Sequence, residues 1–133
     1  VEPSMVASVL TSVLGQRLLR RLCPDCRESY SPSADELETA GLPAEKVEQL
    51  YRCCSDSDNP CETCEGMGYL GRIGVFEFLE ISDQIRALIR EKASLSDIHD
   101  AARSEGMLYM REEGLRVVAL GITSLDELLR VVD

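Results

Sequence analysis

Apolar residues return along this chain at spacings that predict a mainly helical protein with one strand. Met5, Val6, Val9, Leu10, Val13, Leu14, Leu18 and Leu22 recur at three- and four-residue steps. That periodicity predicts one amphipathic helix over residues 3–22. Arg17, Arg20 and Arg21 fall in its last turns, where cations suit the negative end of the dipole. Pro24 stops it. The apolar stripe is broad, so this helix needs a partner surface.

A nearly continuous apolar run, Ile73, Val75, Phe76, Phe78, Leu79 and Ile81, follows a Gly-rich turn. It predicts a strand or hairpin over 69–81, covered on both faces. From residue 83 onward the pattern is helical again. Ser82 or Asp83 caps a helix carrying Ile85, Leu88 and Ile89, and Ser94 starts another that Gly106 closes. A third is expected from about Leu108 to Gly121 with Leu115 and Val118 inward. Thr123-Ser124-Leu125-Asp126 caps a last one that buries Leu128, Leu129 and Val132.

Between residues 23 and 69 the pattern is irregular. Ser33-Ala34-Asp35-Glu36 reads as a capping box and opens a short helix ending at Gly41. Pro43 suits a first helical position, with Val47, Leu50 and Tyr51 on one face of a second helix. Ser55 to Pro60 reads as a polar loop.

Composition narrows the function. With 133 residues the chain makes one domain or two small subdomains. Aromatics are 5% and Trp is absent, so aliphatic side chains must fill the core. The net charge of −10 argues against nucleic acid, which needs a basic face, and against anionic lipid. No apolar run approaches a membrane span, and no signal peptide opens the chain. Val1 opens directly into a helical pattern without an initiator Met, as expected for a piece of a longer protein.

Six cysteines change the picture. Cys23-Pro24-Asp25-Cys26 and Cys61-Glu62-Thr63-Cys64 are two Cys-x-x-Cys turns in a chain without a secretion signal. That arrangement reads as a metal site rather than a disulfide framework. Each turn sets two sulfurs on one side of a tight loop, and four thiolates suit tetrahedral zinc in a closed structural site. The expected metal ligands are Cys23, Cys26, Cys61 and Cys64, with no catalytic role. Cys53 and Cys54 read as small buried side chains, with competition for the metal as the alternative. Gly66, Gly68, Gly71 and Gly74 read as backbone geometry. No Gly-x-x-x-x-Gly-Lys-Ser/Thr loop occurs, and Lys46 and Lys92 are the only lysines. The isolated chain is therefore expected to hydrolyse no ATP. His99 reads as an ordinary surface or half-buried residue, and Arg111-Glu112-Glu113 as a solvated face.

The pattern around the cysteines resembles a known family. Gln16-Arg17-Leu18-Leu19-Arg20-Arg21-Leu22-Cys23-Pro24-Asp25-Cys26 carries the likeness. So does the stretch Cys61-Glu62-Thr63-Cys64-Glu65-Gly66-Met67-Gly68-Tyr69-Leu70-Gly71-Arg72-Ile73-Gly74-Val75-Phe76-Glu77, and so do Glu105-Gly106-Met107, Arg111-Glu112-Glu113-Gly114-Leu115 and Gly121-Ile122-Thr123-Ser124-Leu125-Asp126-Glu127. Together they resemble the C-terminal region of the ATPases of bacterial type II secretion and type IV pilus assembly. The resemblance implies an α+β fragment, mainly α, of a RecA-like ATPase. Residues 1–22 would be a core helix, 23–69 a zinc-stapled lobe, 70–81 a strand returning to the core, and 82–133 a C-terminal helical subdomain. It also implies a cytoplasmic hexamer, peripheral to the inner membrane. Neighbouring ATPase subunits and platform proteins would be its partners, and ATP and magnesium would bind in the parent protein only. The segment Cys53-Cys54-Ser55-Asp56-Ser57-Asp58-Asn59-Pro60 is more cysteine-rich and acidic than the family pattern.

Two other readings compete. Cys61-Glu62-Thr63-Cys64-Glu65-Gly66-Met67-Gly68 fits the zinc module of heat-shock co-chaperones, where such a motif repeats, but here it occurs once. A thiol oxidoreductase would use Cys23 and Cys26, and would place a strand, not the expected helix, before that pair.

Overall fold

The computed structural model describes residues 1–54, 56 and 58–132. The element order is α1 (Pro3–Val9), β1 (Ser12–Leu22), β2 (Glu28–Tyr30), α2 (Ala34–Ala40), β3 (Leu50–Arg52), β4 (Tyr69–Glu80), α3 (Asp83–Arg90), α4 (Leu95–Ser104), α5 (Met110–Ala119) and α6 (Leu125–Val131). Strand β1 pairs with β4 and β2 with β3, so helices dominate an α+β chain. The expected polar loop falls partly outside the described residues, at Ser55 and Ser57, as does the last residue of the 82–133 segment, Asp133.

The helix expected over 3–22 is corrected. It runs only to Val9, Leu10 takes extended backbone, and an eleven-residue strand follows. Two causes favour the strand. Gly15 would weaken a helix interior by about 1 kcal/mol. Pairing with β4 also satisfies the backbone, and such tertiary pairing overrides a helical pattern. Gly15 has a packing reason too: a Cβ there would lie 3.3 Å from Met110 Cε. The second short helix is likewise absent. Residues 43–47 form only turns, and Leu50–Arg52 joins β2 instead. The antiparallel register sets Glu28 opposite Arg52, Ser29 opposite Tyr51 and Tyr30 opposite Leu50. Strand β4 forms where expected but is not covered on both faces. Phe76 and Phe78, two residues apart and so on one face of the strand, are 45% and 53% exposed, while Val75 on the other face is buried.

The chain divides into two compact units. The first comprises Val1–Gln16 and Phe76–Met110. Ile81, Ile85, Ala101 and Ala102 form its core, with Leu10, Leu79, Leu88, Ile89, Ile98 and Met107 packed around them. Local signals bound its helices. Ser82 Oγ accepts the Ile85 N–H at the start of α3. Ser94 and Asp97 cap α4 reciprocally. The Arg86 guanidinium donates to the carbonyls of Ala7, Leu10 and Ile81, tying α1 to α3.

The second unit comprises Arg17–Val75 and Arg111–Asp133. Leu19, Leu22, Leu37, Leu50, Val75, Val117, Val118, Leu125 and Leu128 are buried in it. Helix α2 is capped by Ser33 and closed by left-handed Gly41, as expected, while Glu36 turns its carboxylate to the Tyr30 hydroxyl. A Cβ on Gly114 would meet Leu128 Cδ1 at 2.2 Å, so α5 and α6 cross closely there. Leu129, expected inside, is 38% exposed, while Val132 is buried.

Candidate metal centre

The four Cys-x-x-Cys cysteines come together in the second unit. The first turn follows directly from β1, whose last residue Leu22 donates its N–H to Ile122 O at 2.8 Å. The turn closes with the Arg27 N–H on Cys23 O at 3.0 Å. The second turn precedes β4. It closes with Gly66 N–H on Cys61 O and Met67 N–H on Cys64 O, at 3.1 and 3.0 Å. Glu65, Gly66 and Gly68 take positive φ, the backbone that the glycines were expected to supply.

Two bonds tie the turns to each other. Cys23 N–H donates to Gly68 O at 3.0 Å. The Thr63 hydroxyl donates to Asp25 Oδ2 at 2.6 Å. The second bond uses one variable position of each turn, which spacing alone does not single out.

The four sulfurs lie within 4.8 Å of one another. Cys23 Sγ and Cys61 Sγ are 4.0 Å apart, and Cys26 Sγ and Cys64 Sγ 3.6 Å. A tetrahedron of zinc–sulfur bonds of about 2.3 Å has edges of about 3.8 Å, so these spacings suit that ion. All six cysteines are free thiols. Cys23 and Cys64 are buried, and Cys26 and Cys61 half-buried. Gly68 N–H donates to Cys64 Sγ at 3.2 Å.

Crowding splits the thiols electrostatically. Burial, then the neighbouring thiols of Cys64, Cys23 and Cys61, pushes Cys26 up to about 12. The backbone N–H groups of Cys64 and Thr63 pull Cys61 down to about 7. Four thiolates within this space repel one another, and a bound cation offsets that repulsion.

The argument against a thiol oxidoreductase needs correction, since a strand does precede Cys23. What counts against it is the sequel. The pair is followed by β2, not by a helix whose N-terminus would favour a thiolate.

Cys53 and Cys54 are half-buried, not the buried side chains expected. The Cβ of Cys53 lies 2.5 Å from where a Cβ on Gly68 would sit, so glycine is needed at 68. His99 is exposed and its ring lies tilted by 59° against that of Tyr109, with centroids 5.7 Å apart. Arg111, Glu112 and Glu113 are half-buried rather than fully solvated, and Glu113 pairs with Arg116 at 2.7 Å.

Sequence reasoning missed a buried ionic group in the same unit. Glu127 is 1% exposed and accepts from the Arg20 N–H at 3.0 Å. Its oxygens also accept from the guanidinium groups of Arg20 and Arg130, each at 2.7 Å. Arg130, then Arg20, holds this carboxyl well below the usual carboxylate range. The Arg20 guanidinium also lies over the Tyr69 ring, 4.2 Å from its centroid. Arg20 therefore does not serve a helix dipole. Its partner is 107 residues away and carries no local signal beyond its place three residues after the Ser124 cap.

Among the described residues no helix is long and apolar enough to cross a membrane. The family model described as "Type II/IV secretion system protein" matches residues 1–130. The chain is 37% identical over 131 residues to the type IV pilus assembly ATPase PilB of Thermus thermophilus, covering 97% of this chain and 14% of that protein. It is 39% identical over 131 residues to the type II secretion system protein HxcR of Pseudomonas aeruginosa, covering 98% of this chain and 23% of that one. It is 35% identical over 131 residues to the type II secretion system ATPase E of Vibrio cholerae, with 98% and 25% covered. The chain thus spans a quarter or less of these relatives.

Proposed function

We propose, for a chain that belongs to the family of type II/IV secretion system proteins, that it is the zinc-binding C-terminal part of an ATPase powering type II secretion or type IV pilus assembly. Zinc binds Cys23, Cys26, Cys61 and Cys64. The observation that carries this is four sulfurs within 4.8 Å, on two turns tied by the Thr63–Asp25 and Cys23–Gly68 bonds. A four-thiolate site leaves no position for water, so the ion is structural. It holds the ends of β1 and β4 at the base of a lobe whose described residues form one short helix and one short strand pair.

The nucleotide chemistry belongs to the rest of a longer protein. Phosphoryl transfer needs a backbone cradle, a lysine on the phosphates and a magnesium site, and this chain is a small share of its relatives. ATP and magnesium bind there, the whole protein works as a cytoplasmic hexamer, and this chain alone hydrolyses no ATP. The zinc lobe contacts neighbouring subunits or the inner-membrane platform, and a net charge of −10 disfavours nucleic acid.

Elemental analysis of the purified chain tests the metal reading. One zinc per chain is expected, with no phosphate release from ATP above background. Well under one zinc, with the four cysteines paired as disulfides, would overturn it.

A further inference from the structure

Beside the four turn cysteines lies a cavity of about 10 Å³. Cys26, Cys61 and Cys64 line it, together with Gly66, Gly68 and two residues outside the turns, Cys54 and Asp56. Cys54 Sγ is held in place by the Asp56 N–H, which donates to it at 3.3 Å. Asp56 Oδ1 in turn accepts the N–H groups of Asp58 and Asn59, at 3.0 and 3.2 Å. The neighbouring Cys53 does not line the cavity. It packs on Gly68, its Cβ 2.5 Å and its sulfur 3.6 Å from the position a Cβ there would take. The adjacent cysteines therefore have separate places, and of the two only Cys54 lines a cavity with three turn cysteines.

We infer that Cys54 is a reserve thiolate ligand: it enters the metal's coordination shell when a half-buried turn cysteine, Cys61 or Cys26, gives up its place. This rests on the zinc reading above. In the exchange the Cys54 thiol releases its proton to solvent and bonds the ion. The departing thiolate takes up a proton, and the ion keeps four sulfurs. Soft thiolate ligands and tetrahedral geometry are both retained. The chain holds its metal through the loss of one half-buried ligand, which a plain four-cysteine site does not.

The test is cobalt(II) bound to the full chain, read by sulfur-to-cobalt charge-transfer absorption, whose intensity follows the number of thiolates. Wild-type chain should show four-thiolate intensity, and failure there would sink the metal reading and this inference together. With wild type loaded, Cys61→Ser decides the inference alone. It should keep four-thiolate intensity, as should Cys53→Ser/Cys61→Ser, while Cys54→Ser/Cys61→Ser falls to three or loses cobalt. Loss of an outer-shell partner already costs about 10–100-fold in metal affinity. Loss of a thiolate should therefore weaken the Cys54→Ser/Cys61→Ser double variant by more than about a hundredfold relative to Cys61→Ser. Cys26→Ser, with and without Cys54→Ser, repeats the comparison at the other half-buried ligand. Equal intensity and affinity for Cys61→Ser and Cys54→Ser/Cys61→Ser, or failure of both Cys61→Ser and Cys26→Ser to hold cobalt, would overturn the inference.

Discussion

Where α3 and α4 pack, Ile81, Ile85, Ala101 and Ala102 are buried among aliphatic neighbours. In the other unit the buried groups include Cys23, Cys64 and the Glu127 carboxylate. The first kind of core depends on apolar area, which neither pH nor metal alters. The second adds ionisation to its own aliphatic core: thiolates that the proposed cation would neutralise, and a carboxylate that two guanidinium groups meet. One chain thus holds two regions that should respond differently to the same change of solution.

Removing the metal should separate them most widely. Apparent binding free energies of structural zinc are about 10–16 kcal/mol in small domains near neutral pH, and they appear as folding free energy. Residues 23–69 carry too little apolar core to fold without that term. Loss of order should spread to α5 and α6, because Leu22 bonds Ile122 O and Arg27 donates to Gly121 O at 2.6 Å. Amide exchange after chelation should rise across these segments while α3 and α4 keep their protection. Equal protection loss in α3 and α4 would break the comparison.

The same contrast explains what could be read from the chain. Helices α3, α4 and α6 were legible because their starts are local: Ser82, Ser94 and Ser124 each accept an N–H three residues on. The four cysteines were legible because their spacing is chemical. Residues 12–22 were not, since their apolar positions fit a helix and only pairing with β4 makes them a strand. Leu50–Arg52 likewise depends on β2. Glu127 is hidden for a related reason, as its partner Arg20 lies in the segment whose apolar spacing fits a helix. Long-range pairing leaves no period in sequence.

Glu127 gives a smaller effect with a definite sign. Glu127→Gln keeps the shape but removes the charge that meets Arg20 and Arg130. Unsatisfied or weakened buried bonds of this kind cost about 1–3 kcal/mol. The folded carboxyl is held below its usual range. Its contribution is therefore complete above the unfolded value of about 4.3 and lost as pH falls below it. Urea midpoints of wild type and variant, both in excess zinc, should differ at pH 7 and draw together as pH falls below about 4.3. The comparison ends where acid strips the metal, because that loss alone would disorder α6 and close the gap. A gap that stays unchanged below that pH with the metal retained would mean that Glu127 acts through packing and not charge.

The smallest effect compares two caps of the same chemistry. Ser94 Oγ accepts the Asp97 N–H at 3.2 Å, and Asp97 Oδ2 accepts the Ser94 N–H at 3.1 Å. Ser33 Oγ accepts the Glu36 N–H, also at 3.2 Å. Replacing an N-cap serine by alanine costs about 0.5–2 kcal/mol, typically near 1. By geometry alone the two substitutions should be nearly equal. They differ in what lies beneath the helix. Helix α4 packs on the aliphatic core, so Ser94→Ala should speed amide exchange of α4 by the same factor with zinc and after chelation. Helix α2 belongs to the lobe that the proposed ion would hold, so Ser33→Ala should be measurable only with zinc bound; without it no helix should be left to cap. Exchange rates of the two helices, with and without chelator, read this directly. A Ser33→Ala penalty that survives chelation would show that α2 keeps its fold by packing alone, and the division between a metal-held region and an aliphatic one would fail at its most local point.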